Sequence, residues 1–280
     1  MQKTNTIGVI VHELNSHFIA SVLSGIEKVM ASKQYIIIIG HSSGSTETEI
    51  ANANNLFRNR VDGLIVSLAS DTVDPGHYDL FIKRGIPVVF FDRVKRDAPG
   101  IKVIIDNQKA GATATEHLIQ QGCRRLMHVT GDLTQNVYAH RLEGFKQALA
   151  DHNLRYDAGQ VRVTDLGEKA GEEVARQILE MKPRPDGLFF ANDLCAAVCM
   201  KCLNAAGIKI PEDIAIVGFN NDTISRLVDP QLTTINYMGN EMGEVAANNL
   251  LAQLSGRLEP SDHTIILKSQ LMTRGSSQKR

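Results

Sequence analysis

Short apolar runs alternate with amphipathic stretches along the whole chain, and that alternation constrains the fold more than any other feature. Residues 6–11, 35–39, 63–66 and 88–91 are rich in β-branched and aromatic side chains and read as strands. Helical patterns fall between them, at about residues 18–32, 47–59 and 75–84. After a strand at 103–105 the order repeats as helix 109–121, strand 125–130, helix 142–152 and strand 161–163. Helix 169–181, strand 187–191, helix 194–206 and strand 214–217 complete it. Strands separated by helices form parallel sheets covered on both faces, so an α/β protein is expected.

The two halves echo each other. "VDGLIVSL" at Val61 returns as "PDGLFFAN" at Pro185, and "IPVVFFDR" from Ile86 returns as "IAIVGFNN" from Ile214. A chain of 280 residues is long for one core and comfortable for two. Two similar α/β lobes follow.

Composition narrows the classes of partner. With 43% apolar and 22% charged residues the chain can bury a sizeable interior. A net charge of −1 gives no electrostatic footprint for nucleic acid or an anionic membrane. No apolar run approaches the ~18 residues of a membrane span, and no basic-then-apolar leader opens the sequence. A cytoplasmic protein with no membrane partner is therefore expected. Cys123, Cys195, Cys199 and Cys202 fit the reduced thiols of such a protein.

In open α/β sheets, ligands bind beyond the carboxyl ends of the strands. Polar residues recur at those places: Ser67, Asp92 with Arg93, Asn192 with Asp193, and Asn220 with Asn221. In "PDGLFFANDLCAA" the apolar strand turns abruptly to Asn192 and Asp193. Asp193 is either the cap of the next helix or a ligand group. The recurrence at matching positions of two lobes argues for a ligand site.

Two motifs suggest other chemistry. "GHSSG", residues 40–44, matches the G-x-S-x-G nucleophile elbow, which makes a serine hydrolase using Ser42 the remote alternative. An elbow needs a helix directly after the serine. Here Gly44, Ser45 and Thr46 intervene, and Ser45 or Thr46 is the expected helix cap. Cys195, Cys199 and Cys202 spell C-x3-C-x2-C, a spacing used to hold iron–sulfur clusters. They lie in a helical pattern that climbs about 10 Å from first to last, too far for one cluster. No H-E-x-x-H, Walker loop or strand-following G-x-G-x-x-G is present, so neither metal nor cofactor is expected.

Seven stretches in order resemble the effector-binding core of the LacI/GalR family of bacterial transcription regulators. They are "TIGVIVHELNSHFIASVLSGIE", "GIPVVFFDRV", "ATEHLIQQGCRRLMHVTG", "HRLEGFKQAL", "PDGLFFANDLCA", "IPEDIAIVGFNND" and "DPQLTTINYMGNEMGEVAANNLL". The tail "LMTRGSS" is similar to the family's as well. The resemblance implies two Rossmann-like lobes joined by three crossing segments, the type I periplasmic-binding-protein arrangement. Crossings are expected near Asp106, Asn236 and His263. The N-terminal lobe would then hold residues 1–105 and 237–262, and the C-terminal lobe 106–236 and 263–280. Helix 238–255 would pack on the N-terminal lobe, and residues 264–273 would return to the C-terminal one.

The same resemblance implies a function. Family members are homodimeric regulators, repressors among them, that bind a small effector, usually a sugar or nucleobase, between the lobes and are not enzymes. Their helix-turn-helix head precedes the first strand, where this sequence has only "MQKTN" before Thr6. The expectation is the sensor portion of a longer regulator, touching operator DNA only through that head. A solitary cytosolic sugar-binding protein is the alternative.

Individual residues carry over from the family pattern. His17 and Phe18 match pocket-lining positions, and Phe18 would offer an aromatic face to a sugar ring; its other reading is a core residue. Asp92 matches an acidic hydrogen-bonder to hydroxyls, or else is a solvated strand end. Arg141 matches the effector-binding arginine, with a surface arginine at a helix start as its alternative. Asn192 and Asn220 match two strand-end ligands of the second lobe. Many relatives carry Asp where Asn220 stands. That exchange, with Arg93 beside Asp92, widens the expected effectors from sugars to sugar phosphates and sugar acids. Leu166 stands near a position where relatives stack an aromatic ring, which leucine cannot do.

Overall fold

The computed structural model describes residues 3–259 and 261–279. The chain divides into two compact units, Met1–Ile105 with Met238–Lys268, and Asp106–Tyr237 with Ser269–Arg280.

The first unit is built on a six-stranded sheet in the order β11-β5-β4-β3-β1-β2. Its strands are β1 (Thr6–Val11), β2 (Ile36–His41), β3 (Gly63–Val66), β4 (Val88–Phe91), β5 (Ile101–Ile105) and β11 (Thr264–Leu267). All pairings within it are parallel. The helices are α1 (His17–Ala31), α2 (Thr46–Arg58), the short α3 (Asp79–Lys83) and α9 (Gly239–Leu254). β1, β3 and β4 are buried on both faces almost throughout, as their unbroken apolar runs predict. β2 differs. It lies at one edge of the sheet, and Ile36 and Ile39 are 67% and 48% exposed.

The second unit repeats the plan in the order β12-β10-β9-β8-β6-β7. Its strands are β6 (Leu126–Thr130), β7 (Val161–Val163), β8 (Gly187–Phe190), β9 (Ala215–Asn220), β10 (Thr233–Asn236) and β12 (Gln270–Met272). Only β12 runs antiparallel, against β10. The helices are α4 (Asn107–Gln120), α5 (Asn136–Asp151), α6 (Glu168–Glu180), α7 (Asp193–Ala205) and the single turn α8 (Ile224–Leu227). α4 and α5 touch through glycines: Gly111 faces the backbone of Arg141, and Gly144 faces the Gln108 carbonyl. A Cβ at either position would strike main chain. That close approach sets Asn107 beside Arg141.

Three elements depart from the sequence-based expectation. The third crossing falls after Lys268 and not near His263, because Thr264–Leu267 pairs in parallel with Lys102–Ile105 and so stays with the first sheet. The helix expected at 75–84 is a 3-10 turn, Gly76–Tyr78, followed by the five-residue α3. α5 starts at Asn136, well before the expected 142. Its buried positions Val137 and Arg141 are four residues apart, and the second is charged, which hides the apolar stripe of the first turns.

Candidate functional site

In the first unit, three neighbouring strands end in polar side chains. His12 follows β1, Ser67 follows β3 and Asp92 follows β4, and all three are buried. His12 Nδ1 lies 3.0 Å from Ser67 Oγ, and Nε2 lies 3.5 Å from Glu13 Oε1. Burial, helped by the charge of Arg93, pushes the imidazole pKa down. A neutral ring can accept from Ser67 at Nδ1 and present its Nε2 proton to Glu13. The bond to His12 is the largest effect on Glu13 and holds that carboxyl below its ordinary range.

The loops after β3 and β4 are tied together. Arg93 Nη1 donates to Ser70 Oγ at 3.0 Å, and the Leu68 amide donates to the Arg93 carbonyl at 3.0 Å. Beneath them lies the wholly buried Glu49 of α2. Its carboxylate accepts from the Ala69 amide at 2.5 Å and from Thr72 Oγ1 at 3.2 Å, and pairs with His77 Nε2 at 2.9 Å. Phe18 is buried with its ring beside Gly239 at the start of α9, while His17 before it is exposed.

The second unit centres on Arg141, which is 3% exposed. Its Nε donates to Asn107 Oδ1 and its Nη1 to the Ala191 carbonyl, both at 2.9 Å. The guanidinium carbon sits 3.5 Å from the Phe219 ring centroid and 5.5 and 5.8 Å from those of Tyr138 and Tyr237. A buried guanidinium on an aromatic floor is a strong cation–π arrangement. Arg141 is thus no surface residue at a helix start.

Asn192, not Asp193, caps α7. Its Oδ1 accepts from the Cys195 amide at 3.0 Å, and its Nδ2 donates to the Leu166 carbonyl at 3.0 Å. The Asp193 carboxyl is enclosed. Oδ1 accepts from Thr234 Oγ1 and Oδ2 from the Asp222 amide, both at 2.7 Å. Burial first, and the nearby Asp222, push its pKa well above the usual carboxylate range, against the pull of the Thr234 bond. Gly218 has no room for a Cβ because the Asp193 carboxyl fills that space. Asp193 therefore braces the ends of β9 and β10 from within.

Backbone strain marks the same loops. Asp92, Leu166 and Asn220 have φ of 57°, 61° and 109°, in the left-handed region that non-glycine residues rarely occupy. Such conformations cost on the order of 1–3 kcal/mol each and gather where a ligand is held. Two further polar atoms lie close in sequence to Arg141: Thr130 Oγ1 at the end of β6 and Gln135 Oε1 before α5. Both are buried without a hydrogen-bond partner among the described residues. His12, Asn107, Thr130 and Gln135 escaped the sequence reading. Applying the strand-end rule to β1 and β6 would have found His12 and Thr130.

The alternative motifs are not set up for chemistry. Ser42 is wholly buried, with both its amide and its Oγ directed to the Val11 carbonyl at 2.9 and 3.3 Å. α2 begins only at Thr46, capped by Ser45, whose side chain accepts from the Thr48 amide. Cys195 and Cys199 lie buried along α7, where burial raises the Cys195 thiol pKa to about 12. Among the described residues no cluster of His, Cys, Asp or Glu could hold a metal, and no helix is long and apolar enough to cross a membrane.

A model of the periplasmic binding protein-like domain matches residues 115–277, more than half of the chain. The chain belongs to this periplasmic-binding-protein-like family. Its relatives within the family include the HTH-type transcriptional repressor PurR of Klebsiella pneumoniae, 29% identical over 259 residues, 92% of this chain and 76% of that one. The ribose operon repressor of Haemophilus influenzae is 26% identical over 276 residues, 99% of this chain and 82% of that one. Among solved structures, the transcription regulator GntR from Chromobacterium violaceum superposes with a TM-score of 0.89 at 28% identity, covering 98% of this chain and all of that one. A LacI family regulator from Enterococcus faecium with bound ribose gives 0.85 at 26% identity over 97% and 98% of the two chains. The LacI/GalR resemblance and the two-lobed α/β fold read from the sequence are both borne out.

Proposed function

We propose that this chain is the effector-sensing core of a LacI-type transcription regulator and performs no catalysis. The effector is a small sugar-like molecule, a sugar, sugar phosphate or sugar acid, held between the two lobes. By binding one lobe arrangement better than another it shifts their populations, and the change reaches operator DNA through an N-terminal head. The regulator works in the cytoplasm as a homodimer. The exposed isoleucines of edge strand β2 are the kind of apolar surface a second copy would cover.

The observation that carries this reading is the buried Arg141. A guanidinium bonded to an amide and a main-chain carbonyl, and lying over the Phe219 ring, is held in place by three contacts within the protein. A planar guanidinium is also the side chain whose geometry best matches hydroxyl or carboxylate oxygens. Asn192 and Asn220 extend the same strand ends, and relatives solved with ribose and with cellobiose share the fold.

A thermal-shift panel of ribose, cellobiose, gluconate and glucose 6-phosphate tests the proposal. A ligand at about one hundred times its Kd stabilises by about 2.7 kcal/mol, which raises the melting temperature of a chain this size by roughly 5–10 °C. One member should do so in the parent protein and not in Arg141→Ala. A flat response to all four would overturn the sugar-like class.

A further inference from the structure

Asn220, read above as a ligand group, ends β9 in a conformation that asparagine seldom adopts, and Asn221 follows with φ of 59°. Such a pair persists only where its surroundings over-determine it. The restraints can be followed atom by atom. The Asn221 amide donates to Thr234 Oγ1 and its Nδ2 to Asn236 Oδ1, both at 3.2 Å. The Asp222 amide is held by Asp193. Asn221 Oδ1 accepts from Arg274 Nη2 at 2.6 Å.

Arg274 comes from far along the chain, in the tail after β12. Its Nη1 donates to the Leu232 carbonyl at 2.7 Å and to Ser225 Oγ at 3.0 Å. One guanidinium thus links β9's terminal turn, α8 and the approach to β10. The tail is sewn down on both sides of it. Arg274 exchanges main-chain bonds with Thr233 Oγ1, donating at 2.8 Å and accepting at 2.9 Å. Ser276 Oγ donates to the Ile216 carbonyl at 2.6 Å, and Ser277 Oγ meets His117 Nε2 at 2.7 Å. The strap leaves the arginine side chain little freedom except to hold the turn.

We propose that Arg274 is a positioning residue for effector recognition, fixing the left-handed Asn220–Asn221 turn so that the Asn220 amide is presented in one orientation. The inference rests on the sensor reading, and its effect passes through the turn. A flat, multiply bonded guanidinium is required, because an ammonium is a point charge that cannot hold three acceptors on separate elements in a plane.

The deciding measurement needs no ligand. Amide hydrogen exchange on the whole chain should show the segment 219–225 exchanging about ten times faster in Arg274→Ala, with the segment around Asn192 unchanged. Arg274→Lys should fall between the two. Equal exchange in all three proteins overturns the inference whatever the effector is. A second arm uses the compound that scores in the panel above. Its affinity should drop roughly 5- to 10-fold in Arg274→Ala, because a residue acting through Asn220 can cost no more than the neutral hydrogen bond that Asn220 makes. In an Asn220→Ala background the same change should cost less than about twofold, since a group acting through Asn220 has nothing left to orient. Additive losses would overturn the positioning role. Full affinity in Asn220→Ala alone would overturn the reading of Asn220 as a ligand group, and leave the exchange result to stand or fall by itself.

Discussion

The guanidinium carbon of Arg141 sits over Phe219, 3.5 Å from the ring centroid. The arginine comes from α5 and the phenylalanine from β9, so the contact joins a helix to the carboxyl end of an interior strand. A surface arginine would be solvated there. This one is sealed in, and its partners decide what its loss would do.

Arg141→Ala should weaken the effector by roughly 10- to 150-fold, because hydrogen bonds to charged groups contribute about 1.5–3 kcal/mol. The variant should also lose stability. Removing the side chain strips Asn107 Oδ1 and the Ala191 carbonyl of a donor, at about 1–3 kcal/mol for such unmet buried groups. Urea titration and calorimetry together separate the two effects. Unchanged affinity would remove Arg141 from the site.

The alternation of strands and helices was legible because β3, β4 and β8 are buried on both faces and their sequences are unbroken apolar runs, while β1 departs only at its first residue, Thr6, and β6 only at His128 and Thr130. Polar strand ends such as Ser67, Asp92, Asn192 and Asn220 were legible for the same reason: the change of character is abrupt. What stayed hidden depends on contacts distant in sequence. Nothing local says that Asp193 will be walled in by Gly218 and Thr234, or that Arg274 will return to Asn221. The first turns of α5 were missed because its buried face carries a cation where a leucine would have shown the period.

Asp193 should make stability fall as pH rises. Its folded pKa stands well above the unfolded value, so its contribution is complete below the ordinary carboxylate range of about 4 and is lost as pH climbs toward the folded value. The protonated acid can donate to Thr234 Oγ1, whose own hydrogen then turns to the Ile235 carbonyl at 3.4 Å. In Asp193→Asn the amide nitrogen takes over that donation, and the amide oxygen still accepts from Asp222. The variant should therefore gain on the parent between pH 4.5 and 8 in paired urea titrations. A constant difference would mean that Asp193 is ionised in the fold.

His128 should act in the opposite sense. It is wholly buried, stacked at 4.4 Å between centroids on Phe189 and at 5.4 Å on Phe145, with Nδ1 3.0 Å from the Phe189 carbonyl. Burial lowers its pKa to about 3. The unfolded chain binds the proton first, so stability is lost as pH falls from about 6.5 toward 3, by up to roughly 5 kcal/mol. His128→Phe keeps a stacked ring without a titrating nitrogen. Its acid-unfolding midpoint should lie below that of the parent, and an identical midpoint would show that other groups govern acid sensitivity.

Two serines separate a sensor from an enzyme. Ser42, in the elbow-like "GHSSG", has its Oγ turned to the Val11 carbonyl and no histidine partner among the described residues. Ser67 does have one, His12 at 3.0 Å, with Glu13 beyond it, which is the order of groups in a hydrolytic triad. Yet Ser67 is wholly buried and its amide is committed to the Ile10 carbonyl at 2.9 Å, continuing the β1–β3 ladder. The bond is better suited to fixing the His12 ring than to attacking a substrate. Neither serine should react with a fluorophosphonate, by mass spectrometry of the intact protein. Ser42→Ala should leave effector affinity within about twofold. Ser67→Ala removes the donor to His12 Nδ1 and frees the ring, so affinity should fall by roughly 5- to 10-fold, the effect of one neutral hydrogen bond. A phosphonate adduct on either serine would overturn the non-catalytic reading. An unchanged affinity in Ser67→Ala would take the His12–Ser67 pair out of the effector site.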